Sequence, residues 1–189
     1  SGDYGVFGLG VFNGQTANKP EQNDDLHVVA RLSYPFQLKN KQVIEPGIQA
    51  YTGKYVVTAN QTTTGVTTPG EFTDERVAAT LVIYPQPWGF QTEYNVGRGP
   101  EFDPETKSIR TKSLQGGYAQ AMYNLQINKQ IIIPFVKVQY YEGGKKHETD
   151  ARFNRVYETE IGVEWQPIPN FELVSMYSIA DRTTADGRN

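Results

Sequence analysis

Residues 77–97 read VAATLVIYPQPWGFQTEYNVG. Val77, Ala79, Leu81 and Ile83 alternate with Ala78, Thr80, Val82 and Tyr84. After a Pro-bounded turn, Trp88, Phe90, Thr92, Tyr94 and Val96 alternate with Gly89, Gln91, Glu93, Asn95 and Gly97. Alternate residues of a strand point to opposite faces, so the stretch predicts a hairpin with one apolar and one more polar face.

The same rhythm spreads outward along the chain. Nine strands are expected, near 4–13, 26–36, 43–53, 75–85, 88–98, 109–123, 130–141, 155–167 and 171–181. Pro and Gly recur too often for long helices. The short connections are Gln37–Gln42, Gln86–Pro87, Asn124–Lys129 and Ile168–Asn170. The long ones are Gly14–Asp25, Lys54–Asp74, Gly99–Ser108 and Glu142–Asn154. Short and long connections in strict alternation are what an antiparallel up-and-down transmembrane β-barrel produces, with tight turns at one end and long loops at the other.

Composition fits that expectation. The length allows one domain, 1–189. A formal net charge of −3 leaves no overall basic footprint for nucleic acid. No apolar run is long enough for a membrane-crossing helix. The mean hydropathy is negative, but in a barrel wall only every second residue meets lipid. Cysteine is absent, which excludes a disulfide framework and thiolate chemistry.

The faces follow from the alternation. Leu81, Ile83, Trp88, Ile132, Val136, Ile161, Val163 and Trp165 are expected to face lipid. Arg31, Glu45, Arg76, Gln91, Glu93, Lys137, Gln139, Glu158, Glu160 and Glu164 are expected to line a water-filled interior. Ile132 to Tyr140 is eight residue steps, about 26 Å at ~3.3 Å each. Tilted by ~40°, this gives roughly 20 Å of height, close to the ~25 Å apolar band of such barrels. Tyr34, Phe36, Trp88, Tyr123, Trp165 and Phe171 lie near the short turns, and Phe12, Tyr94, Tyr140 and Tyr157 near the long loops. These read as two aromatic girdles.

Several segments resemble the phosphate-selective porin O/P family of Gram-negative outer membranes. They are Gly5 through Gly14, Val29-Ala30-Arg31-Leu32, Gly97 through Phe102, Gly117-Tyr118-Ala119-Gln120, Ile133 through Tyr141, and Tyr177 through Arg182. The resemblance runs along nearly the whole chain and is to the C-terminal half of such a porin. It implies a 16-stranded barrel, a homotrimer in outer-membrane lipid and the passage of small anions. The chain begins Ser1-Gly2, ends Asp186-Gly187-Arg188-Asn189 and holds an odd strand count. A segment lacking the first strands and the last strand is therefore expected. The inferred interior is mixed in charge, and an anion pore needs basic groups along its path. A channel for small hydrophilic solutes or ions, with phosphate among them, is the expected function.

The alternative reading is a soluble all-β protein. Glu158 and Glu160 share one face some 6–7 Å apart, near the spacing of acid and nucleophile or base in glycoside hydrolases. A jelly-roll carbohydrate-active enzyme or a soluble ligand-binding barrel would bury the apolar face that a porin exposes. His27 and His147 have no partner at metal-ligand spacing, so neither a metal nor another cofactor is expected.

Overall fold

The computed structural model describes residues 4–12 and 23–184. Most of the first long connection and the terminal stretch 186–189 lie outside the described residues. The strands are β1 (Val6–Phe12), β2 (His27–Ser33), β3 (Phe36–Gln37), β4 (Val43–Val56), β5 (Glu71–Ile83), β6 (Trp88–Asp103) and β7 (Ser108–Tyr123). They continue as β8 (Leu125–Ile127), β9 (Gln130–Gly144), β10 (Phe153–Gln166) and β11 (Leu173–Thr184). All pair antiparallel in one sheet of order β1-β2-β4-β5-β6-β7-β9-β10-β11, so neighbours in sequence are neighbours in space.

The nine expected strands are the nine of this path; one of them breaks near a tight turn, and the expected short connection Asn124–Lys129 holds a further short strand. Pro35 has no N–H to give the ladder, and it separates β2 from β3, which pairs with β4. Asn124 turns its amide to the Pro87 carbonyl at 2.7 Å and separates β7 from β8. β8 and β9 then meet in a two-residue turn, Asn128 (φ 50°) and Lys129 (φ 66°). Positive φ at both central residues is the twist that suits a hairpin.

At the other end the strands overshoot the expected limits. β4 continues to Val56, β5 starts at Glu71, β6 reaches Asp103 and β9 reaches Gly144. These extensions carry Lys54, Glu71, Glu101 and Asp103 where the apolar alternation has ceased. The apolar alternation marks only part of each strand, not its full length.

The sheet curves. Gln49 of β4 donates to Glu93 of β6 at 3.1 Å, passing over β5, so these side chains converge on the concave face. The convex face stays open, with Val136 44%, Ile161 61%, Val163 36%, Trp165 40% and Trp88 69% exposed. Leu81, Ile83 and Ile132 share that face by register. A soluble barrel or sandwich would have covered it.

Tyr94, Gly117, Tyr140 and Tyr157 occupy one convex register row, and the Tyr140 and Tyr157 rings lie 4.9 Å apart. A Cβ at Gly117 would stand 3.1 Å from Tyr94 Cδ2, so the bare backbone gives that ring its place. Trp88 against Tyr123 (4.6 Å) and Tyr34 against Phe36 (4.8 Å) form the opposite row. Just beyond the tyrosine row the convex face becomes ionic: Arg98 pairs with Glu75, and Arg155 with Glu142 at 2.9 Å. Phe12 departs from the girdle expectation. Its register partner is His27, which places it on the concave face.

The largest buried cluster is not in the wall. Tyr55, Val57, Phe72, Ile109 and Ala151 pack beyond the tyrosine row, with Val66 against them. Asp150 accepts from the Thr63 amide (2.7 Å) and hydroxyl (3.0 Å), and the Ile109 amide donates to the Thr67 carbonyl at 2.9 Å. The β4–β5 and β9–β10 connections, expected to be plain loops, are one folded cap.

Candidate functional site

The concave face gathers the polar side chains because each strand presents its alternate, polar residues to that side. Glu45 of β4 accepts from the hydroxyls of Ser33 and Tyr84, both at 2.8 Å. Glu93 of β6 is held by Gln49. Gln91 stands between Val82 and Gln120 in the same register row as Glu45 and Lys137.

On the far side of the sheet, Lys137 pairs with Glu160 at 3.3 Å and lies 5.4 Å above the Tyr118 ring. Gln139 donates to Glu158 at 2.7 Å and to Glu160 at 3.4 Å, and Ser178 donates to Glu158. Glu164 lies nearer the tight turns, opposite Ile133 and Val174. The two acids of the enzyme alternative are thus engaged by an ammonium, an amide and a hydroxyl.

Arg31 of β2 also faces the concave side and forms no hydrogen bond or ion pair with the described residues. Arg76 of β5 lies 3.8 Å from Asp74, with its guanidinium 5.7 Å from the Tyr51 ring centre.

Asp74 is the feature missed in the sequence. It is fully buried, accepts from the Tyr51 hydroxyl at 2.9 Å, and pairs with Lys146, which arrives from the β9–β10 connection. The Lys146 ammonium also lies 5.5 Å from the Tyr51 ring and 5.1 Å from that of Tyr55. This ties the connection after β9 to a wall strand three positions away in the sheet. The alternation Phe72, Asp74, Arg76, Ala78 marks Asp74 as inward, but its partner lies 72 residues further on, and no local pattern reaches that far.

His27 is 2% exposed. Its Nε2 lies 2.9 Å from the Lys54 carbonyl and its ring stacks near Tyr51, so it packs into the wall and does not face open water. His147 sits edge-on to Tyr55. At the rim, hydrogen bonding to the Lys54 ammonium holds the Asp25 carboxyl below its usual range. Among the described residues no group of three or more His, Cys, Asp or Glu is placed to hold a metal.

Two hollows follow the concave face and share Glu93 and Asn95. One runs past Arg31, Gln49, Tyr51 and Arg76. The other runs past Tyr118, Gln139, Lys145, Glu158 and Arg182. An apolar convex wall between aromatic rows, backed by a concave face that carries the polar side chains, is the wall pattern of a membrane channel. A family model for phosphate-selective porin O and P matches residues 1–188.

The chain belongs to the phosphate-selective porin O and P family.

The porin is therefore an outer-membrane channel protein of the kind found in Gram-negative bacteria, and not an enzyme. The jelly-roll glycanase alternative falls with that assignment. No curated protein and no solved structure matches the chain.

Proposed function

We propose that this porin is a weakly selective channel for small hydrophilic solutes and ions, not one dedicated to phosphate. One observation carries the reading: the concave face carries both signs of charge, and several of its cations stand against carboxylates. Lys137 is paired with Glu160, and both Arg76 and Lys146 stand against Asp74. A pore built to strip and pass phosphate needs basic groups to dominate its path. Here the hydrophilic lining is Gln49, Gln91, Gln139, Asn95 and carboxylates held by neutral donors. These groups hydrate a passing solute, and with both signs of charge on the face neither anions nor cations are favoured throughout.

In this reading Arg31, Glu45, Arg76, Gln91, Glu93, Lys137, Gln139, Glu158, Glu160 and Glu164 line the conducting path, and the convex aliphatic face meets lipid. The single barrel domain closes with further strands beside β1 and β11, because lipid does not tolerate open strand edges. A homotrimer is part of the same proposal.

The full-length porin in a planar bilayer under a KCl gradient is the test. Ion-conducting steps with a reversal potential close to zero are expected. Strong anion selectivity, with block by millimolar phosphate, would show a dedicated anion pore. The absence of steps would defeat the channel reading altogether.

A further inference from the structure

The charges on the concave face are sorted along the strands. A single register row links Arg31 through Gln49, Ala78 and Asn95 to Val156 and Arg182. Arg76 stands one concave position nearer the long loops. The next row towards the tight turns holds Glu93 and Glu158, and the one after it holds Glu45 and Glu160. Glu164 lies beyond them. Among the described residues, the single cation within this acidic zone is Lys137, which is paired with Glu160. The acid nearest Arg76 is the buried Asp74, which Lys146 and the Tyr51 hydroxyl already engage.

We infer that the lumen is bipolar, with a basic belt (Arg31, Arg76, Arg182) above an acidic belt (Glu45, Glu93, Glu158, Glu160), and that it favours small zwitterionic solutes. This rests on the channel reading above. The facing rows of the two belts, Arg31 with Arg182 and Glu93 with Glu158, are two residues apart along β5, from Ala78 to Thr80. That is ~7 Å along the strand, or about 5 Å of height at a tilt of ~40°. The belts therefore meet as a junction, each extending away from the other, and the step between them suits the distance between the two charges of a small zwitterion. A net anion meets attraction and then repulsion, and a net cation the reverse. A solute carrying both charges can place its carboxylate towards the arginines and its ammonium towards the glutamates.

Two zones of opposite fixed charge also conduct asymmetrically. With the tight-turn side positive, anions fill the basic belt and cations fill the acidic belt, each from its own mouth. With the polarity reversed, both are withdrawn and conductance falls.

The test uses the full-length porin and a Glu93→Gln/Glu158→Gln variant in planar bilayers at about 0.1 M KCl. The wild type should pass more current when the tight-turn side is positive, and the variant should lose most of that asymmetry. In liposome swelling, β-alanine should enter faster than the similarly sized neutral lactamide, and the ratio should fall towards one in the variant. A linear current–voltage curve in the wild type overturns the inference while leaving the channel intact. So does an unchanged asymmetry or an unchanged swelling ratio in the variant. No conductance at all would instead defeat the channel reading.

Discussion

Single side chains decide where the protein meets each solvent. Val136 lies mid-strand on the convex face, 44% exposed, with Ala121 and Ile161 beside it in the register row. Val136→Arg would put a cation in hydrocarbon at a cost of ~2–4 kcal/mol. Folding into lipid vesicles, followed by gel mobility before and after heating, should show a lowered folded fraction. A folded, soluble Val136→Arg protein without detergent would contradict the lipid-facing assignment. Across the wall, Lys137 has the opposite environment. Lys137→Met leaves Glu160 facing the lumen without its cation, so the cation-to-anion permeability ratio should rise. An unchanged reversal potential would mean that the pair lies off the conducting path.

Elements add what single residues cannot. β9 and β10 carry the polar–apolar alternation cleanly, and their faces were legible in the sequence residue by residue, from Ile132 to Tyr140 and from Tyr157 to Trp165. The turn-end breaks at Pro35 and Asn124 were not, because β3 and β8 are too short to show a period. Nor were the strand extensions and the cap. Their order comes from contacts between distant segments, such as Thr63 with Asp150, and water on both sides removes the alternation. The candidate lumen divides the same way. Which residues face inward follows from alternation alone, whereas the pairing of Lys137 with Glu160 depends on a register set by the β9–β10 connection. The Asp74–Lys146 tie belongs to this scale. Asp74→Asn keeps the shape and removes the charge that holds the ammonium against β5. In the membrane-inserted porin, trypsin should then cut after Lys145 or Lys146 faster than in the wild type. An equal cutting rate would show that the cap core alone holds the connection in place.

The whole molecule is built for two environments stacked one above the other. Below the tyrosine row the wall exposes its aliphatic side chains and keeps its polar ones on the hollow side. Beyond that row, the Tyr55–Phe72–Ile109 cluster is buried in the manner of any water-soluble domain. The boundary is sharp, since the Arg155–Glu142 pair begins two residues from Tyr157 and the Arg98–Glu75 pair four residues from Tyr94. The two parts therefore answer to different agents. Detergent has only to replace lipid around the lower wall, and it leaves the cap's apolar contacts untouched. Urea acts first on the cap, where water already surrounds the folded chain. The small cluster above the membrane thus gives this porin a second melting unit, one whose loss would unravel the mouth of the channel while its anchorage stayed whole.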